Sequence, residues 1–334
     1  MRHISIKPFY GNVFLKDKVF EINNGHNIFF EFDQKMKKRK VVVHTNDLSN
    51  DKKTDKLIYV DIPYPWQISL WLKIILTHSS KNILYCFESP LVNPFNHMRI
   101  LHCFFSKVVT WNDDLARRTG YLKFNIPQIK RNKVSKIKFE RKKFLTAVYS
   151  NKSTPAIFGN MSKYKIDLYQ LRYELFRQLD ETNVEFHLYG RGWNTKRPFN
   201  LQDKWQSWKR FDSYKGEIKD KLEVISKYKY CLAFENAVAP GYITEKIFDC
   251  FLAGCVPVYY GAPNIEKYIP SNTFIDYREL GSMEKLVAYL VNIDKSTYSN
   301  YLQNAKYFLS LKDTKYHWFE NGFSDQFFSL IVDK

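Results

Sequence analysis

"CLAFENAVAPGYITEKIFDCFLAGCVPVYYG" runs from Cys231 to Gly261. The β-rich run "YCLAF" leads into a loop holding Pro240 and Gly241, then "TEKIFDCFLAG", then a second β-rich run, "VPVYYG". Thr244 is an N-cap residue type, and Gly254 is the type that ends a helix in the left-handed conformation, so the stretch predicts strand, loop, helix, strand. In the first helical turn Glu245 complements the helix dipole, whereas Lys246 opposes it. An anion held on the free backbone N–H groups would reconcile Lys246 with that position. Glu245 cannot bind the same anion, but it can accept hydrogen bonds from two ribose hydroxyls, and Tyr242 can pack on a base or sugar. The group suits a nucleotide. A salt-bridged surface turn accommodates the same pair, and this stretch alone leaves both readings open.

The pattern repeats outward from that unit. "RKVVVHT", "KLIYVDI", "NILYCFES", "SKVVTWN", "KFLTAVYS", "VEFHLYG", "YKYCLAFEN" and "CVPVYYG" read as strands, while "QISLWLKIILTHS", "DLYQLRYELFRQL" and "TEKIFDCFLAG" read as helices. The alternation predicts an α/β fold with largely parallel sheets. A chain of 334 residues fits two domains of about 150 residues each. The segment Ile129 to Lys143 follows Pro127, lacks apolar periodicity and carries eight Lys or Arg. It is expected to connect the domains, an exposed basic edge being the alternative. Two Rossmann-like domains facing across a cleft would carry their functional groups in loops after strands.

Apolar residues at 45%, aromatics at 17%, and only 12 Gly and 12 Pro exclude disordered, collagen-like and low-complexity classes. The net charge of +18 attracts anions, whether nucleic acid, an acidic membrane or a phosphorylated substrate, although biased composition would give the same excess. Five cysteines without a C-x-x-C pair, four of them in strand or helix interiors, fit a reducing compartment and argue against cysteine-bound metal. The amino terminus has no apolar run of signal-peptide length, and "WQISLWLKIIL" (Trp66 to Leu76) is about half a membrane span and is broken by Lys73.

Two further loops hold candidate groups. "NILYCF" ends at Glu88, before a loop stiffened by Pro90 and Pro94. Partial burial would raise the pKa of that carboxyl toward the range of a general base. A surface glutamate bonded to its turn is the plainer reading. After "FLTAVYS", a helical stretch lines Leu168, Leu171, Leu175 and Leu179 on one face, with Arg172 one position off that line. A guanidinium there can bind a diphosphate through two parallel hydrogen bonds, although most helical arginines are simply solvated.

With these residues in view the chain resembles the α1,3/4-fucosyltransferase family. "FENAVAPGYITEKIFDCFLAGCVPVYYGAPNIEKYIPSNTFI" is similar to that family's donor-binding signature, and "FESP" (Phe87 to Pro90) to its acceptor-side motif. "YSN" (Tyr149 to Asn151) and "YGRGW" (Tyr189 to Trp193) agree with its donor-domain strands in order and spacing. The similarity spans about Lys81 to Ile275. It implies a glycosyltransferase-B architecture: an acceptor-binding Rossmann-like domain over 1–140, a donor-binding one over 141–310, and a helical segment over 311–334 that packs back on the first.

The implied activity is transfer of L-fucose from GDP-β-L-fucose with inversion, onto the GlcNAc of an N-acetyllactosamine-type glycan. By position, Glu88 matches the general base, Arg172 and Lys246 the cations on the diphosphate, and Glu245 the ribose carboxylate. Asn236, Tyr242 and Asn151 match other donor-pocket positions. The resemblance implies no required metal, with Mn²⁺ or Mg²⁺ at most stimulating. The partners implied are GDP-fucose and an oligosaccharide or glycolipid acceptor, without nucleic acid. Animal members carry a membrane anchor, a stem and paired cysteines, none of which is read here. A cytoplasmic, bacterial-type protein is therefore expected, with peripheral contact at an anionic membrane. Two readings compete: another nucleotide sugar on the same fold, and a basic nucleic-acid binder using "KMKKRK" (Lys35 to Lys40) and the segment Ile129 to Lys143.

Overall fold

The computed structural model describes residues 2–8, 14–21, 28–49, 53–77, 79–118, 120–128, 137–195 and 210–332. They divide into two units, one made of 1–131 with 312–334 and the other of 132–311. Of the basic segment Ile129 to Lys143, residues 129–136 lie outside the described ones.

Unit 1 holds strands β1 (Arg2–Lys7), β2 (Val41–Thr45), β3 (Lys56–Val60), β4 (Asn82–Cys86), β5 (Lys107–Thr110) and β6 (Tyr121–Lys123), in the order β2-β1-β3-β4-β5-β6. Unit 2 holds β7 (Lys143–Val148), β8 (Phe186–Tyr189), β9 (Tyr228–Phe234), β10 (Val256–Tyr260) and β11 (Ile275–Asp276), in the order β8-β7-β9-β10-β11. Every pairing between these strands is parallel. Parallel strands covered by helices on both faces need continuous apolar runs, which explains why β4 is buried at all five positions and β9 at six of seven.

Each sheet begins with an inner strand, adds one neighbour on one side, and then reverses direction. The chain thus leaves a switch point between β1 and β3, and another between β7 and β9. In doubly wound sheets the loops beyond the strand carboxyl ends at such points form the binding crevice. β1, β6 and β11 were not among the strands read from the sequence. β1 is the most consequential of these, because its end, the buried Lys7, borders the first switch point.

The carboxy-terminal helix Glu320–Val332 completes the core of unit 1 rather than that of unit 2. Its Phe327 stacks on Tyr85 of β4 at 4.9 Å between ring centroids and meets Phe32 edge-on at 4.4 Å. In unit 2, Leu145, Phe176, Trp193, Phe234 and Val258 share one core. Cys86, Cys231, Cys250 and Cys255 are buried free thiols, and Cys103 is exposed. No helix among the described residues is long and apolar enough to cross a membrane.

Candidate active site

The second switch point gathers most of the residues singled out above. β9 ends at Phe234, and the next side chain, Glu235, is fully buried. Its carboxylate accepts the Thr244 backbone N–H at 2.7 Å through Oε1 and the Thr244 hydroxyl at 2.7 Å through Oε2. The Lys246 ammonium lies 3.3 Å from the same Oε2, 2.9 Å from the Thr244 hydroxyl and 3.4 Å from Glu245 Oε1. Burial pushes the Glu235 pKa up, while Lys246 draws it back. The site also shapes its neighbour: a Cβ on Gly261 would stand 2.4 Å from Glu235 Cγ, so only glycine fits beside the buried carboxylate.

This geometry corrects the argument from the helix dipole. The helix spans Glu245–Ala253 and ends at Gly254 in the left-handed conformation, with φ 65°, as the sequence predicts. Thr244 stands at the N-cap, but its side chain bonds Glu235 and caps no helical N–H. The ammonium of Lys246 therefore already faces two carboxylates of its own chain, and its placement requires no outside anion. Sequence reasoning missed Glu235 although it carries the signal used for Glu88, a carboxylate just past an apolar strand.

Glu245 is about half exposed and lies 3.9 Å from Lys221, which also binds the buried Asp249 at 2.8 Å. Desolvation works against the Glu245 carboxylate, but Lys246 and Lys221 outweigh it and hold its pKa well below the usual carboxylate range. Lys221 is raised despite its own burial, because Asp249 and Glu245 stabilise its charge. A half-exposed, reliably ionised carboxylate at a helix start can accept hydrogen bonds from paired hydroxyls.

Arg172 is buried at the centre of its helix's inner stripe, not beside it. On Leu168–Asp180 the buried positions are Leu168, Tyr169, Arg172, Leu175, Phe176 and Leu179, and Leu171 is only half-buried. The guanidinium lies over the Tyr149 ring at 4.3 Å and the Tyr169 ring at 4.6 Å, and donates to the Phe234 carbonyl at 3.3 Å. Two tyrosine faces thus hold a permanent cation beside the end of β9. Asp167 caps that helix, accepting the Tyr169 N–H at 2.8 Å, and the Leu168 N–H reaches the Asn236 carbonyl at 3.3 Å. Asn236 thereby ties the Arg172 helix to the loop after β9.

Asn151 is buried in the loop after β7, where its backbone N–H donates to Arg191 O at 2.8 Å and its amide to Gly192 O at 3.0 Å. Its Oδ1 has no hydrogen-bond partner among the described residues. Gly190 permits this knitting of "YSN" to "YGRGW": at φ 121° a Cβ there would meet Tyr149 O at 2.0 Å. Tyr242 is buried, and its carbonyl takes a long hydrogen bond of 3.4 Å from the Tyr259 hydroxyl. Its ring belongs to the packing of the unit rather than to an exposed stacking face.

In unit 1, β4 ends at Cys86, so Glu88 sits two residues beyond the strand, half-buried. Asp61, just past β3, is buried with φ 62°, a conformation that Asp tolerates better than most residues. Its Oδ1 accepts the backbone N–H groups of Phe87 at 2.7 Å and Glu88 at 3.0 Å, and also the Asn96 amide. Burial, and next the charge of Glu88, push the Asp61 carboxyl up to about 7. Lys7, at the end of β1, is pushed down to about 8 by burial against the pull of Asp61. Asp61 was not singled out from sequence, because no local pattern announces a carboxylate that serves a neighbouring strand's loop.

Concavity alone does not mark this chemistry. A cavity of about 690 Å³ lined by Asp17, Asp33, Lys37, Lys40 and His44 contains none of these groups. Among the described residues no cluster of three or more His, Cys, Asp or Glu could hold a metal ion.

Two parallel sheets, each with ionic groups at the carboxyl ends of its strands, define an α/β protein of the glycosyltransferase-B type. The fold is similar to a crystal structure of an α1,3-fucosyltransferase, with a TM-score of 0.60 and 15% identity over 100% of this chain and 90% of that one. It is also similar to Anabaena HepE in complex with UDP-glucose, with a TM-score of 0.57 and 12% identity over the full length of both. Residues 149–326, just over half of the chain, match glycosyltransferase family 10 (fucosyltransferase), C-terminal part. The chain belongs to that family.

Curated relatives include an α-(1,4)-fucosyltransferase of Arabidopsis thaliana, 40% identical over 79 residues, which is 23% of this chain and 20% of the relative. A GDP-fucose protein O-fucosyltransferase 3 of Danio rerio is 42% identical over 95 residues, 28% of this chain and 21% of the relative. A 4-galactosyl-N-acetylglucosaminide 3-α-L-fucosyltransferase 9 of Cricetulus griseus is 34% identical over 127 residues, 37% of this chain and 30% of the relative. The matched stretches thus span a fifth to about a third of these relatives' lengths.

Proposed function

We propose that this protein is an inverting α1,3-fucosyltransferase that transfers L-fucose from GDP-β-L-fucose to a hydroxyl of an oligosaccharide or glycolipid. The expected acceptor is the GlcNAc of an N-acetyllactosamine-type glycan. The observation that carries the reading is the gathering of Arg172, Lys246 and Glu245 at one switch point, inside the stretch that matches the family. Arg172 and Lys246 stabilise charge growing on the departing diphosphate, Glu245 receives the ribose hydroxyls, and Asn151, Asn236 and Tyr242 shape the donor pocket. Glu88 takes the proton as the acceptor hydroxyl attacks the anomeric carbon and GDP leaves from the opposite face.

The test is incubation with GDP-fucose and a panel of acceptors, with products identified by mass and linkage. An α1,3-fucosylated product supports the reading, and activity only with GDP-mannose or a UDP-sugar overturns the donor assignment. Glu88→Gln is expected to keep GDP-fucose affinity while losing transfer by about 10²-fold or more. Normal turnover in that variant would remove Glu88 from the role of base. Because two protein cations serve the leaving group, transfer is expected to survive EDTA, with Mn²⁺ or Mg²⁺ changing only its rate; complete loss on chelation refutes this.

A further inference from the structure

The loop after β3 reads Asp61-Ile62-Pro63-Tyr64-Pro65-Trp66. Trp66 is 63% exposed, yet its ring lies flat on Tyr64, with centroids 4.6 Å apart and planes 10° from parallel. Tyr64 is fixed from several sides: its N–H donates to Gln67 Oε1 at 2.8 Å, its hydroxyl donates to Val92 O at 3.2 Å, and its carbonyl accepts the Trp71 indole N–H at 3.2 Å. Phe95 meets its ring edge-on at 6.2 Å. Trp71, five residues further on, is half-buried against Phe104.

A large aromatic face left in water forgoes hydrophobic stabilisation that burial would supply, and here the exposed face lies on a ring that is itself held from several sides. Pro63 and Pro65 restrict the backbone on both sides of Tyr64, so little conformational freedom remains to be lost on binding. The hydroxyl of Tyr64 reaches the loop that carries Glu88. Burial, and then the charges of Glu88 and Asp61, raise its pKa, so the Tyr64 hydroxyl lies within electrostatic reach of Glu88.

We propose that Tyr64 and Trp66 form a stacking platform for one pyranose ring of the acceptor, beside the carboxylate of Glu88. A pyranose presents a face of C–H groups with slight positive charge, which suits the negative face of an indole. Its hydroxyls leave by the edges, where polar groups can orient them. The proposal rests on the reading of Glu88 as the acceptor-side base and adds the surface that holds the sugar.

Saturation-transfer NMR with N-acetyllactosamine, lacto-N-biose and lactose tests saccharide contact without requiring turnover, and steady-state kinetics with the same sugars tests its use. In Trp66→Ala the acceptor KM is expected to rise roughly tenfold or more, the scale of one lost aromatic stack. GDP affinity, kcat at saturating acceptor and thermal midpoint should stay unchanged, and Trp66→Phe should recover part of the loss. An unchanged acceptor KM, or no Trp66-dependent contact with any of these sugars, overturns the platform. Saccharide contact without fucose transfer instead overturns the proposed reaction and leaves the platform standing. Loss in Trp66→Ala of binding to phosphatidylglycerol vesicles, with acceptor KM unmoved, would assign the face to a membrane and also overturn the proposal.

Discussion

At the scale of single residues, Glu235 governs how any variant of Lys246 must be read. Lys246→Ala would leave a fully buried carboxylate without its cation, a change that costs about 3–5 kcal/mol in folded proteins. Weaker GDP affinity in that variant would therefore mix a lost phosphate contact with a damaged fold. Adding Glu235→Gln is expected to return most of the stability, measured by urea unfolding, while calorimetric titration still shows weak GDP binding. Full recovery of GDP affinity in the double variant would mean that Lys246 acts only structurally. Asp61 makes a second prediction, with a definite sign. Folding raises its carboxyl from 3.8 to about 7, so the folded state favours the protonated form. This group's stabilisation is present below pH 4 and is lost as the pH rises through 7. Asp61→Asn keeps an oxygen for the Phe87 and Glu88 amides and should flatten the stability profile between pH 4 and 7. An unaltered profile would assign that slope to other groups. Glu88, Glu245 and Lys246 stood out in the sequence as candidates because they sit past a strand or at a helix start, and Arg172 because it is a cation beside an apolar helical line. Glu235 and Asp61 also stand just past strands, but what they bond was not legible, because each serves atoms contributed by another part of its unit.

At the scale of elements, the strands that sequence resolved are the long apolar ones, such as "KLIYV" and "YKYCLAF", whose burial on both faces leaves an unbroken run. β1 was harder to see because "RHISIK" mixes cations with its apolar residues, and β6 and β11 are only three and two residues long. Periodicity on Leu168–Asp180 located the helix but misassigned its inner line, because the tyrosine pair around Arg172 makes a cation compatible with a buried position. On Ile68–Leu76, a mostly apolar helix, only Ile74 is fully buried. Helix Glu320–Val332 offers a test of packing between elements. Phe327→Ala removes a ring that is 1% exposed and touches both Tyr85 and Phe32, and is expected to destabilise unit 1 by about 3–5 kcal/mol. Hydrogen exchange should quicken in β4 and in the helix Ile28–Lys38 and stay slow in β9 and β10. Equal loss in β9 and β10 would show that unit 2 depends on this contact as well.

At the scale of the whole molecule, the same winding order occurs twice, and both times the ionic groups stand beyond the carboxyl ends near the reversal. Alternation of strands and helices was enough to predict parallel sheets, whereas the position of the reversals was not. It depends on which strand starts each sheet, and for the first sheet that strand is β1. The composition of unit 1 has a further consequence. Its sheet lies within the first 131 residues, but the helix that covers Tyr85 and Phe32 arrives only after residue 311. On the ribosome all of unit 2 is translated before unit 1 receives its last helix. For that interval β4 carries an uncovered aromatic surface, so chaperone dependence during synthesis and the success of circular permutants should both follow from when residues 312–332 reach it.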